Sequence, residues 1–108
     1  MSEIKDHRAA SLLSQLAAEY FNIESNKNTL ITVTRAEMSD RGRRCLILLS
    51  VLPTQEENMA LEFAKRKRND FRKFIRTKKI FGFAPHINFE LDYGERNRQR
   101  IDELSNSS

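Results

Sequence analysis

The chain has 108 residues, 39% of them hydrophobic and 31% charged, enough for one domain and too few for two independent cores. Its only cysteine, Cys45, excludes an internal disulfide and leaves no second thiol for a zinc site. No apolar run approaches the ~20 residues of a membrane span, and the first apolar residues are interrupted by Lys5, Asp6 and Arg8, unlike a signal peptide. The expected setting is therefore a reducing cytoplasm.

In chain order, Ala9, Leu12, Leu13, Leu16, Ala17, Tyr20 and Phe21 recur at helical spacing and form one apolar stripe opposite Ser14, Gln15 and Glu19. Residues 22–28 hold three Asn and a Ser, which favour a turn. A strand is predicted over 30–39. Strict alternation puts Ile31 and Val33 on one face and Ala36 and Met38 on the other, and this change of phase near Arg35 indicates a bulge or a strong twist. A turn over 39–42 follows, with Gly42 free to take positive φ. Residues 45–52 are apolar at almost every position, the mark of a central strand with little water on either face.

A helix is predicted to begin after Pro53, where Thr54 and Glu57 have capping-box spacing. Its stripe, Ala60, Phe63 and Ala64, resumes at Phe71, Phe74 and Ile75. A continuous helix would carry Lys67 or Arg68 onto that stripe, and burying an unpaired cation is too costly. An interhelical kink is therefore expected at Asn69, a residue that tolerates left-handed backbone. Residues 86–93 alternate, with Ile87, Phe89, Leu91 and Tyr93 inward and His86, Asn88, Glu90 and Asp92 outward, as in an edge strand. Two early strands pair as a hairpin, and the third returns through the helices to lie parallel beside the apolar strand. The expected domain is α+β and covers 1–94, in the order α-β-β-α-(kink)-α-β, with a three-stranded mixed sheet and helices on one face. Residues 95–108 read as a polar C-terminal tail.

The charge is unevenly placed. Between residues 65 and 79, nine cations (Lys65, Arg66, Lys67, Arg68, Arg72, Lys73, Arg76, Lys78 and Lys79) face Asp70 alone, a local +8 within a net +4. The acids that would balance a solvated helix at i,i+4 spacing are missing, so the block reads as a footprint for a polyanion. Arg41, Arg43 and Arg44, at the hairpin, form a second candidate contact.

The predicted order is the type II KH arrangement, and within it the residues resemble one family. Leu30-Ile31-Thr32-Val33-Thr34 with Glu37-Met38-Ser39, the 46–53 run ending in Pro53, Phe71-Arg72, Pro85-x-Ile87-x-Phe89-x-x-Asp92 and the segment from Arg100 to Leu104 are similar to bacterial ribosome-binding factor A. The resemblance covers residues 30–104. It implies a KH-like assembly factor that binds the immature 30S subunit and 16S rRNA, assists late rRNA maturation and then leaves, and is not an enzyme; no cofactor is expected, and a monomer is the default. Two departures stand out: Lys67-Arg68-Asn69 occupies the place of the family's Ala-x-Gly kink, and the C-terminal extension is short.

The chain has no GxxG clamp, its glycines being Gly42, Gly82 and Gly94, which favours phosphate contacts to a folded RNA surface over reading of single-stranded sequence. Phe81 and Phe83 are candidates for stacking on a base. His7 and His86 lack a nucleophile or paired acid at meaningful spacing, and Glu56 and Glu57 read as helix-start acids, so an enzyme is not expected. Two other classes compete. One is a general protein- or RNA-interaction module that adds a partner strand to the third strand's edge; the other is helix-turn-helix binding of DNA, which the surrounding strands disfavour. Reversal of Lys67, Arg68 and Arg72 to Glu is expected to abolish subunit binding and leave the fold intact.

Overall fold

The first apolar stripe folds as α1 (Ser2–Glu24), and a computed structural model describes residues 2–24, 29–79 and 84–94 of the chain. Leu13, Leu16, Ala17, Tyr20 and Phe21 are buried, and Gln15 and Glu19 are exposed, as the spacing requires. Then come β1 (Leu30–Ser39), a tight turn (Asp40–Gly42), β2 (Arg44–Leu52), α2 (Glu57–Arg66), α3 (Arg68–Thr77) and β3 (His86–Leu91). Strand order is β1-β2-β3, antiparallel between the first two and parallel between the last two. The phenylalanine pair at 81 and 83 and the tail over 95–108 lie outside the described residues.

The bulge in β1 falls at Thr34, since Val33 pairs with Leu49 and Arg35 with Leu48. One extra residue reverses the alternation, so Ile31, Val33, Ala36 and Met38 all pack on the same core face. The opposite faces expected for the two pairs are therefore corrected. In β2, Cys45, Ile47, Leu49 and Val51 are buried toward the helices, and Leu48 and Ser50 are only 7% exposed on the other side. Above them the Thr34 hydroxyl lies 2.6 Å from Asp92 Oδ2, a side-chain link between the edge of β1 and the end of β3. It spans the strand between them. In β3, Ile87, Phe89 and Leu91 are buried, but the strand stops at Leu91 and the backbone turns helical at residue 93. Tyr93 is consequently exposed rather than inward.

All three helices cover one face of the sheet. Phe71 is the centre of the aromatic cluster, with ring centroids 5.4 Å from Tyr20, 6.1 Å from Phe89 and 6.4 Å from both Phe21 and Phe74. Residues Thr54–Glu56 form a 3-10 turn before α2, so the N-cap positions fall on Pro53 and Glu56, and neither makes a side-chain cap bond. The expected capping role of Thr54 is not realised, because that residue already lies inside the first tight turn.

The kink is at Lys67, two residues before the expected Asn69, which is exposed within α3. Lys67 has φ −86° and ψ 3°; its N–H reaches back to the carbonyls of Phe63 and Ala64, and its own carbonyl accepts from Phe71 N–H at 2.8 Å. This bend needs no left-handed residue, so the conformational tolerance of Asn gives no advantage here. Lys67 fills the position where the resembled family carries Ala. It is half-buried, with its ammonium 5.8 Å from the centroid of the Phe63 ring.

Cys45 is 1% exposed, and burial pushes its thiol from 9.0 up to about 12. The native protein is expected to resist a thiol-specific reagent at pH 8 and to react once denaturant unfolds it. Fast labelling of the native protein would contradict this packing. Because the folded state holds the thiol proton more tightly, this contribution to stability is complete below pH 9.0 and is lost as pH rises toward 12.

Candidate nucleic-acid interface

The predicted cations separate into three groups once they are placed on elements. Lys65 and Arg66 close α2, Lys73 and Arg76 stand on α3, and Lys79 follows it; all five are exposed, and their side chains make no ion pair or hydrogen bond among the described residues. Lys79 takes φ 54° where the helix ends, a left-handed stop more often given to Gly. The one acid in the block does not neutralise this face. Asp70 is turned to α1, where its carboxylate accepts a hydrogen bond from the Tyr20 hydroxyl.

A second group is used within the fold. Arg72 is half-buried and donates from Nε to the Pro85 carbonyl at 3.1 Å and from Nη2 to the Ala84 carbonyl at 3.0 Å. Lys78 Nζ lies 3.4 Å from Glu19 Oε1 and 4.7 Å from the centroid of the Phe74 ring, joining α3 to α1. Lys67 rests over Phe63, as described above. Arg68 is also half-buried, and its Nε is shut off from solvent without a hydrogen-bond partner among the described residues. Lys67, Arg68 and Arg72 are thus the least exposed cations of the nine. The expectation that reversing them would spare the fold is corrected: glutamates there would meet buried carbonyls and aromatic rings.

The hairpin supplies the third group. Arg41 and Arg43 are exposed and unpaired among the described residues, whereas Arg44 lies 3.8 Å from Asp40 Oδ2. The turn places Asp40, Arg41 and Gly42 all at positive φ, 51°, 56° and 81°, where only Gly42 was expected. Arg41 in that region is held at a conformational cost of ~1 kcal/mol or more.

Fold topology joins what the sequence leaves apart. β3 starts beside β2 with His86 paired to Arg44, and His86 N–H donates to the Arg43 carbonyl at 2.8 Å. Ala84 and Pro85, immediately before it, are the two residues that Arg72 holds. The base of the hairpin and the basic helix pair are therefore linked through a short run of backbone. No charge pattern marks Arg72 as different from Arg76, so its inward bonding could not be found from sequence. His7 and His86 are both exposed, no three His, Cys, Asp or Glu among the described residues could hold a metal, and no described helix is long and apolar enough to cross a membrane.

The element order, mixed sheet and one-sided helices define a KH-like α+β domain of the type II order. Neither a protein-family model nor a curated protein matches the sequence. Solved structures do match. The crystal structure of ribosome-binding factor A from Thermus thermophilus has a TM-score of 0.71 at 17% identity, over 80% of this chain and 94% of that one. The solution structure of a Thermotoga maritima protein, described as a candidate ribosome-binding factor A, gives 0.67 at 26% identity, over 77% and 82%. A Thermus thermophilus ribosome-binding factor A homology model, fitted into a cryo-electron-microscopy map of a complex with 30S, gives 0.65 at 18% identity, over 75% and 88%. The chain thus shares its fold with these ribosome-binding factor A structures over most of its length.

Proposed function

We propose that this chain is a ribosome-binding assembly factor, which associates with the immature 30S subunit in the cytoplasm and assists late maturation of 16S rRNA. The observation that carries the reading is a set of exposed cations, unpaired among the described residues, on the ribosome-binding factor A fold, one example of which has been fitted into a 30S complex. Lys65, Arg66, Lys73, Arg76 and Lys79 on the helix pair, with Arg41 and Arg43 at the hairpin, are the groups offered to phosphates. Such contacts release condensed counterions, so their affinity falls steeply with salt. The reading assigns the protein no reaction and no cofactor, and it binds as a monomer.

Co-sedimentation with purified ribosomal particles tests it. The protein is expected to travel with free 30S subunits, and between 50 and 200 mM salt its affinity should fall by an order of magnitude or more. Absence from the 30S fraction would refute the proposal. Retention on 30S without salt dependence would favour the other reading, protein contact along β3, which among the described residues pairs on one side only.

A further inference from the structure

We infer that Arg72 is a positioning residue of this basic surface: its guanidinium clasps α3 to the start of β3 and so holds the hairpin cations and the helix-pair cations in one arrangement. The inference rests on the proposed RNA-binding reading and changes the role of one residue within it. Arg72 sits in the basic block of α3, four residues before Arg76, yet the two side chains do different things. Arg76 is exposed and its side chain is unpaired among the described residues, whereas Arg72 is half-buried with two donors committed to adjacent carbonyls.

The chemistry fits a clasp. Ala84 and Pro85 are buried, and Pro85 has no N–H to contribute to the sheet. Their carbonyls need donors, because a buried acceptor left unmet is unfavourable. A planar guanidinium presents two N–H groups in a fixed fork and satisfies both at once, with charge-assisted bonds. A lysine is a point donor on a flexible stem and cannot reproduce that fork. Directly after the clasped pair, His86 N–H bonds the Arg43 carbonyl, so the position of α3 is passed to the base of the hairpin within two residues.

The test compares Arg72→Lys with Arg8→Lys, both of which keep the charge; Arg8 is exposed on α1 and lies outside the proposed contact. Hydrogen exchange at the His86 amide is followed in the free protein, and affinity for purified 30S subunits is measured at one salt concentration, alone and combined with Arg43→Glu. Arg72→Lys is expected to speed His86 exchange and weaken 30S binding, each by about tenfold, whereas Arg8→Lys stays within about threefold of the parent. Arg43→Glu should then cost less in the Arg72→Lys background than in the parent, because the hairpin is already displaced. Equal behaviour of the two lysine variants overturns the inference, as do faster exchange with unchanged binding and effects of Arg72→Lys and Arg43→Glu that simply multiply. If Arg72→Lys does not fold, the Nε–H resonance of Arg72 in the parent decides. Slow solvent exchange there, against fast exchange at Arg76, supports the clasp, and fast exchange at both refutes it. Failure of the parent to bind 30S would defeat the proposed function, and the exchange measurements would still report on the clasp.

Discussion

Replacement of Arg66, Lys73 and Arg76 together by Glu should lower affinity for the 30S subunit by about 10²-fold or more and reduce the slope of log affinity against log salt by about two to three. These three cations are exposed and unpaired among the described residues, so each one is available to a phosphate in the native fold. Reversal removes three attractive contacts and introduces three repulsive ones, whereas exposed positions of this kind rarely change stability by more than ~0.5 kcal/mol each. The variant is therefore expected to unfold close to the parent's midpoint. Titrations at several salt concentrations give both numbers. Binding within about threefold of the parent would show that this face is not the contact, because reversal at three true phosphate contacts cannot be so mild.

The second large effect concerns the core beneath that face. Phe71→Ala should destabilise the domain by about 3–5 kcal/mol, read from the shift in denaturant midpoint. Phe71 is 0% exposed and its ring meets those of Tyr20, Phe21, Phe74 and Phe89, which belong to α1, α3 and β3. Its loss opens a cavity that three elements would have to move together to fill. Domains of this size hold only about 5–15 kcal/mol of stability, so the variant should lie near the threshold of folding. Phe71→Leu keeps most of the volume and should cost less than half as much. A shift below about 1.5 kcal/mol for Phe71→Ala would mean that the ring is not the hub of the core.

Both predictions depend on features of unequal legibility. The core around Phe71 could be read from the chain, since the helical stripe of α1 and the alternation of Ile87, Phe89 and Leu91 are direct imprints of half-burial. The basic face could be read as a block of charge. Its internal division could not: among the described residues Lys73 and Arg76 are free, and Arg72 is engaged, because of where residues 84 and 85 lie in space rather than any local pattern. The kink follows the same rule. The two stripes require a break somewhere between Ala64 and Phe71, but its place at Lys67 depends on which backbone groups of α2 and α3 can still find partners.

By itself, the sequence determined that residues 65–79 form a basic helical segment broken in two, on a domain whose strands and helices follow the periods of their apolar residues. Burial on one side of each element writes those periods, and no distant contact is needed to recognise them. Only the tertiary structure decided which cations face outward, that a bulge at Thr34 returns Ala36 and Met38 to the core, and that Tyr93 leaves the strand. It also joined the hairpin to the helix pair through Arg72, Pro85 and Arg43. Those outcomes depend on groups far apart in sequence meeting at hydrogen-bond distance, and periodicity carries no information about such meetings.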